Sequence, residues 1–254
     1  MRRDACWLAT AALTALAAGC GGGAPAAPEP TAAVAAPTAT PVPAPAPVPE
    51  AVPPAPVGRF TTALVLRRTW LRARPGGRRV ATIARRTGFG GKRVLGVTGR
   101  RGHWLRVLAP ELPNGRAGWV RADATRLGAT NVSLRVDRSR RRVALRDGER
   151  TVFELTVAVG RPGHETPLGR FAVTDKLLMG GPGTTYGCCA VALTGHQESL
   201  PASWSGGDRL ALHGTSAPES IGAAVSAGCL RARDGDLRRL LRKVPLGAPV
   251  FVRD

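Results

Sequence analysis

The stretch RLALHGTSAPESIGAAVSAGCLR, residues 209–231, decides how the second half of the chain is interpreted. It opens with a short apolar run that ends in Leu212, His213 and Gly214, and it closes on the sequence SAGCLR. A glycine directly before Cys229 favours a tight turn, because glycine tolerates backbone angles that other residues avoid. The stretch therefore contains one histidine and, sixteen residues later, one cysteine in a predicted tight turn.

The residues around this stretch predict a β-rich domain over 128–254. Runs rich in β-branched and apolar residues predict strands at 131–136, 142–145, 151–159 and 167–171, separated by Gly and Pro turns. One segment, Asp234 to Lys243, carries leucines at helical spacing. We therefore expect a mainly β fold with few short helices.

Two interpretations of Cys229 and His213 follow from the residues alone. A cysteine nucleophile needs a base that removes the thiol proton and donors that stabilise the oxyanion. His213 is the candidate base, and the backbone amides around Gly228 are candidate oxyanion donors. On spacing alone, both residues are more often part of a core than of an active site.

The motif resembles the L,D-transpeptidase (YkuD-type) signature, which has a His-Gly pair, a spacer and Ser-x-Gly-Cys-hydrophobic-Arg. Residues 159–171, 206–208 and 244–250 resemble other parts of that family. The resemblance implies Cys229 as nucleophile and His213 as base, with Gly214, Ser226, Gly228 and Arg231 in orienting, oxyanion or substrate roles. It implies no cofactor or metal, peptidoglycan stem peptides as substrate, and 3→3 crosslinks or attachment of an amine acceptor as product.

One position departs from the family pattern. The family usually has histidine between the Ser and the Gly, and this chain has Ala227. The alternative is therefore a non-catalytic, wall-binding lipoprotein with a degenerate active site.

Residues 59–127 predict a second module of short strands divided by Pro/Gly turns. The phrases Leu71–Pro75, Trp104–Val107 and Gly118–Val120 resemble a bacterial SH3-like barrel. The expected architecture is thus a small SH3-like barrel followed by an L,D-transpeptidase-type domain.

The N-terminus predicts the compartment. Arg2 and Arg3 precede a short apolar run that ends in Gly19 and Cys20, which is typical of a secretory signal and resembles a bacterial lipobox. Residues 21–58 are rich in Pro and Ala and predict an extended, disordered linker of about 3 Å per residue. We expect lipidation at Cys20 and a location in the cell envelope, at the outer face of the cytoplasmic membrane and reaching into the wall.

The charge is unevenly distributed along the chain. The formal net charge is +20; residues 59–127 carry 17 Arg and Lys against two acidic residues, and residues 128–254 carry 18 against 12. Such a field attracts polyanions without reading their sequence. The predicted compartment favours anionic wall polymers or a membrane surface and argues against nucleic acid, although base composition of the gene is an equally good reason for the arginines. The oligomeric state is not predicted.

The remaining cysteines give weak signals. No CxxC pair exists, so a zinc site is not expected. Cys188 and Cys189 are neighbours, and adjacent cysteines seldom bond to each other. We expect two small buried thiols, with a disulfide to Cys229 as the less favoured alternative.

The lipoprotein interpretation predicts the effect of one substitution. Cys20→Ala removes the only residue that the lipobox offers for acylation, so the protein is expected in the medium or as an uncleaved precursor. Membrane fractionation and the mass of the mature protein measure this. Unchanged fractionation together with an unchanged mass contradicts lipid anchoring.

Overall fold

The computed structural model describes residues 59–180, 183–200, 203–204 and 206–254. The predicted signal, Cys20 and the linker up to residue 58 lie outside the described residues. Within the described part, no helix has both the length and the apolar character needed to cross a bilayer.

Residues 60–130 form one seven-stranded antiparallel sheet. Its core contains Leu71, Ile83, Leu105 and Val107, each almost fully buried. The strand order is β3-β2-β6-β5-β4-β1-β7. The strands are β1 Phe60–Val65, β2 Thr69–Arg72, β3 Arg79–Ile83, β4 Val94–Arg101, β5 Trp104–Leu108, β6 Gly118–Arg121 and β7 Thr125–Thr130.

The short strands that the sequence predicts in this module are present, and two more accompany them. The two additional strands are β2, which follows β1 directly, and β7, which pairs along the whole of β1. Strand β7 runs across positions 127 and 128, where the sequence analysis divides the modules. The SH3-like character of the sheet stays a prediction.

The second sheet has eight strands in the order β10-β9-β8-β17-β12-β13-β14-β16. Its strands are β8 Val132–Asp137, β9 Arg142–Asp147, β10 Arg150–Thr156, β12 Gly169–Leu178, β13 Cys189–His196, β14 Arg209–His213, β16 Leu230–Arg231 and β17 Pro249–Arg253. Two short strands, β11 Val159–Gly160 and β15 Ala224–Ser226, pair in parallel beside it. The mainly β fold class is confirmed.

The helix α1 spans Asp234–Lys243, as the leucine spacing predicts. Its Leu237 and Leu240 are fully buried against the second sheet. Asp234 and Asp236 lie in the first turn and Arg242 and Lys243 in the last, which complements the helix dipole at both ends. The helix therefore covers one face of the sheet and closes its core.

Polar contacts join the two sheets. The Asn114 side chain hydrogen-bonds the backbone of His196 twice, accepting from its N–H at 2.9 Å and donating to its carbonyl at 2.7 Å. The imidazole of His196 also lies 2.7 Å from the carbonyl oxygen of Pro110. The hydroxyl of Thr87 donates to the buried carboxylate of Asp175 at 2.5 Å. Residues of the first sheet thus hold β12 and the end of β13.

Candidate active site

The pairing of β14 with β16 brings the histidine and the cysteine to one face of the sheet. These strands run parallel with Leu212 opposite Leu230 and His213 opposite Arg231. Side chains alternate along a strand, so the leucines enter the core while His213 and Arg231 face the other way. Cys229 directly precedes β16 and shares the face of Arg231.

A cavity of about 120 Å³ opens on this face. Both His213 and Cys229 line it, together with side chains from the loops on either side of β13 and β14. The remaining lining residues are Thr185, Tyr186, Gln197, Leu200, Trp204, Gly207, Asp208, Arg209, Ala211, Ser226, Ala227 and Arg231. Tyr186 and Trp204 are partly exposed, so two aromatic side chains stand at the cavity wall.

His213 is buried and held in one orientation. Its Nδ1 lies 2.5 Å from the carbonyl oxygen of Gly214, which only accepts hydrogen bonds, so Nδ1 carries the proton. The Nε2 atom then keeps its lone pair. The ring of Tyr186 meets the imidazole edge-on at 5.0 Å between centroids. Burial is the main cause that lowers the pKa of His213 from 6.5 to about 4; the hydrogen bond to Gly214 opposes this shift, and the charge of Arg231 contributes to it. The imidazole is therefore neutral at neutral pH.

Cys229 is a free thiol and is half-buried. Burial raises its pKa, although the nearby Arg231 charge opposes that shift. Its Sγ lies 3.7 Å from the carbonyl oxygen of Arg209, a weak contact for a thiol donor. The resting pair is thus a thiol and a neutral imidazole. The histidine pairing that the motif predicts therefore starts from two uncharged groups in this structure.

The turn before Cys229 is built by Ser226. The Ser226 hydroxyl donates to the Cys229 carbonyl at 2.6 Å and accepts from the Gly228 N–H at 3.0 Å. Gly228 has φ +118°, which side-chain-bearing residues rarely adopt. The Gly228 N–H is bound to Ser226 in this structure, and the role of the amides around Gly228 as oxyanion donors stays a prediction. Both residues shape the turn that carries the thiol.

Sequence reasoning missed Gln197, which braces the same turn. Its side chain is buried, and Nε2 lies within 3.1 Å of the carbonyl oxygens of His164, Glu165 and Ala227. Its Oε1 accepts from the amide and hydroxyl of Ser199. A Cβ at Gly228 would stand 2.0 Å from Gln197 Nε2, so the glycine is needed for this approach. A lone glutamine gives no sequence motif, which is why only the fold reveals it.

Gln197 follows His196, whose backbone is held on both sides by Asn114 of the first sheet. The contacts therefore run from Asn114 to His196, along the backbone to Gln197 and from its amide to the Ala227 carbonyl, two residues before the thiol. A side chain of the first sheet thus helps to fix the wall of the cavity.

The neighbouring cysteines differ from expectation. Cys188 and Cys189 are bonded to each other, and both are buried. The chain turns here because Gly187 adopts φ +59° and both carboxylate oxygens of Asp234 accept from the Cys188 N–H at 3.1 Å. The expectation of two unbonded thiols and the alternative of a disulfide to Cys229 are both wrong.

Within residues 59–180, 183–200, 203–204 and 206–254, no group of three His, Cys, Asp or Glu side chains is placed to hold a metal ion.

Residues 131–252 match the family model YkuD, described as the L,D-transpeptidase catalytic domain. This part of the chain is similar to that family over 122 of the 254 residues. The match covers strand β14 with His213, the turn that carries Cys229, and the outer strands of the second sheet.

Relatives with the same family name are 30 to 32% identical to this chain over the aligned residues. The chain is 30% identical over 112 residues to a Bacillus licheniformis protein named L,D-transpeptidase YkuD, covering 44% of this chain and 59% of that one. It is 32% identical over 116 residues to an Escherichia coli K12 protein named L,D-transpeptidase YbiS, covering 41% and 38%. The chain thus spans about half the length of the curated relatives it matches.

Solved structures resemble the chain more distantly. L,D-transpeptidase 3 from Mycobacterium tuberculosis has 18% sequence identity and a TM-score of 0.41, over 63% of this chain and 74% of that one. An L,D-transpeptidase from Mycobacterium smegmatis has 18% identity and a TM-score of 0.38, over 61% and 69%.

Removing the brace at Gln197 tests its role in holding the cysteine turn. Gln197→Glu keeps the shape but loses the N–H donors that bind three carbonyls, and it leaves buried acceptors facing one another. We expect acylation of Cys229 by a carbapenem to slow at least tenfold, since small misplacements of reacting atoms cost about that much or more. Time-resolved intact mass measures the rate. Glu198→Gln, at the exposed neighbour, is the control; equal rates in wild type and Gln197→Glu contradict the role.

The lowered pKa of His213 predicts how stability changes with pH. The unfolded imidazole binds a proton below pH 6.5, whereas the folded one does so only below about 4. Stability therefore falls as pH drops through this window, by about 2 to 3 kcal/mol between pH 7.5 and 4.5 at about 1.4 kcal/mol per pKa unit. Urea unfolding of wild type and His213→Gln at both pH values isolates this contribution. His103→Gln, at an exposed histidine, should keep the wild-type dependence; a His213→Gln protein with that same dependence argues against burial as its source.

Proposed function

We propose that the protein is a cysteine-dependent L,D-transpeptidase that acts on peptidoglycan stem peptides. The observation that carries the proposal is the shared cavity of Cys229 and His213, with Nδ1 of the histidine bound to the Gly214 carbonyl. That bond leaves Nε2 as the basic atom on an imidazole that is neutral at the pH of the cell surface. The similarity of the domain to the family model points to the same chemistry.

In the first half of the reaction, the Cys229 thiol proton moves to Nε2 of His213 as sulfur attacks the substrate carbonyl carbon. The C–S bond forms and the carbonyl electrons move to oxygen. When the tetrahedral intermediate collapses, the C–N bond breaks and His213 gives its proton to the leaving amine. In the stem tetrapeptide that the family resemblance implies, the leaving group is D-Ala and a thioester stays on the enzyme.

In the second half, an acceptor amine attacks the thioester carbon. The amine loses its proton to His213, the new C–N bond forms, and the C–S bond breaks. The cysteine then regains a proton from the imidazole. With the side-chain amine of a neighbouring stem as acceptor, the product is a 3→3 crosslink.

The neutral resting pair suits this cycle. A thiolate–imidazolium pair would need to be stabilised in a buried site, and a cavity of this kind disfavours isolated charge. A neutral base takes the proton only when sulfur bonds to carbon, so the thiol is protected between turnovers. Arg231 supplies a positive charge beside the pair, and it is suited to bind a carboxylate of the stem peptide or the developing oxyanion.

The second candidate is a non-catalytic, wall-binding lipoprotein in which Ala227 marks loss of activity. Ala227 lines the cavity but contributes its carbonyl, not its side chain, to the bonds that hold the turn. An alanine there removes a side-chain function and leaves the nucleophile and base in place. We therefore favour the enzyme. We also propose that lipidation at Cys20 anchors it at the outer face of the cytoplasmic membrane, with the linker carrying the domains into the wall.

Replacing the nucleophile tests the mechanism. Cys229→Ser should abolish both carbapenem acylation and crosslinking, because a hydroxyl is far harder to ionise than a thiol. Intact mass after incubation with a carbapenem, followed by peptide mapping, locates the adduct. Crosslinking is measured by mass spectrometry of digested peptidoglycan fragments.

The matched control is the double substitution Cys188→Ala with Cys189→Ala, which removes the disulfide and leaves Cys229 intact. It should still form the adduct. In the wild-type protein, an adduct on Cys188 or Cys189 with Cys229 unmodified refutes the mechanism. A wild-type protein that never forms an adduct favours the binding lipoprotein instead.

A further inference from the structure

The outer face of the second sheet carries a cavity of about 430 Å³, on strands β8, β9, β10 and β17. It is lined by five arginines and two acidic residues, with one small residue among them. The lining residues are Arg135, Asp137, Arg140, Arg142, Ala144, Arg146, Glu154 and Arg253. We refer to these eight residues as the arginine groove; none of them lines the cavity of Cys229.

Strand register explains the shape of the groove. Arg135 lies opposite Ala144 on β9, and Glu154 of β10 lies on the other side of that alanine. Arg142 and Arg146 stand two positions before and after Ala144 and so point to the same side. The alanine is the floor, and the longer side chains around it form the walls.

The acidic residues do not balance the arginines. Glu154 lies 3.4 Å from Arg142, and Asp137, which also accepts from Ser139 and from the backbone of Arg140, lies 3.8 Å from the Arg140 guanidinium. Arg146 lies 3.6 Å from Glu149, which is outside the groove. Among the described residues, Arg135 and Arg253 have no carboxylate within salt-bridge distance. Arginines this close on one sheet face repel each other, which destabilises the sheet. The groove therefore favours an external anion.

Arg135 is held ready for such a ligand. Its guanidinium stacks over the ring of Phe251 at 4.1 Å, which fixes the plane of its donors. Burial lowers the pKa of Arg135, and the positive charges of Arg253, Arg146 and Arg59 add to that shift. A planar guanidinium in a fixed orientation matches the oxygens of a phosphate with two parallel hydrogen bonds.

We propose that the arginine groove binds a phosphodiester polymer of the cell envelope. Neighbouring strands are about 5 Å apart and alternate residues about 7 Å apart along a strand, so the cationic centres repeat over a distance that one small anion cannot span. A thin chain with one negative charge per unit can lie along them. A bilayer surface is flat and cannot reach a floor set below the arginine side chains.

The inference goes beyond the proposed transferase reaction, because the groove is separate from the catalytic cavity. It also differs from the sequence-based expectation, which assigns adhesion to the more basic first module. A groove on the catalytic domain itself would hold the enzyme on the wall polymer while its other face works on stem peptides.

The test uses the full chain and a fluorescently labelled poly(glycerol phosphate) chain, with binding followed by anisotropy at fixed salt. Arg135→Gln with Arg253→Gln should weaken binding about tenfold or more. Arg85→Gln with Arg101→Gln removes the same charge from exposed positions of the first sheet and should weaken it less than threefold. Arg135→Lys keeps the charge but loses the paired donors, and should fall between wild type and the double variant.

Two further arms identify the ligand class. Phosphatidylglycerol vesicles and an RNA homopolymer are titrated under the same conditions. Preference for poly(glycerol phosphate) together with selective loss in the groove variant supports the proposal. Binding to vesicles or RNA alone, equal loss in both double variants, or no loss in the groove variant overturns it.

Thermal unfolding of each variant measures whether its fold is intact. This control is needed because Arg135 packs on Phe251. Arg253→Gln alone, at an exposed position on β17, should still weaken binding at least threefold. Carbapenem acylation of Cys229 should be unchanged in that variant, because the groove and the catalytic cavity share no residue. If the wild-type protein showed no transferase activity, the result on polymer binding by the arginine groove would therefore still hold.

Discussion

The parallel pairing of β14 with β16 is the constraint on which the candidate site depends. A pair of residues set by register, Leu212 with Leu230, places two leucines in the core and forces their neighbours to the opposite face. Slipping the register by one residue would turn the imidazole and the thiol away from the cavity into the apolar core and would expose the leucines. The hydrophobic core therefore fixes the geometry of the chemistry, and the histidine needs no carboxylate partner because the next carbonyl along the chain orients it.

Burial then decides the protonation states. It lowers the pKa of His213 and raises that of Cys229, so both effects favour the uncharged pair. In the proposed reaction, this neutral pair becomes reactive only when a carbonyl carbon is delivered to the sulfur. Selectivity would then rest on the walls of the cavity, where Tyr186 and Trp204 provide aromatic surfaces and Arg231 a positive charge.

Much of the fold and part of the site are predictable from the sequence. Strand runs and the helix at Asp234–Lys243 follow from residue periodicity, and the His-Gly and Ser-x-Gly-Cys motifs mark the reacting groups. Contacts between distant segments are not predictable in this way. Gln197 is a single polar residue without a pattern, and its three carbonyl partners become neighbours only after folding. The bond between Cys188 and Cys189 depends on a local turn set by Gly187 and Asp234, which sequence spacing does not reveal.

The two hydrogen bonds between the Asn114 side-chain amide and the His196 backbone limit how freely the two sheets can be exchanged between proteins. A catalytic domain transplanted without its partner sheet would carry an unpaired N–H and carbonyl at the end of β13, next to the residue that steadies the nucleophile turn. Recombination within this architecture therefore has to move both sheets together, or supply another amide at the same place. In evolutionary terms the first sheet behaves as part of the enzyme and not as a detachable accessory.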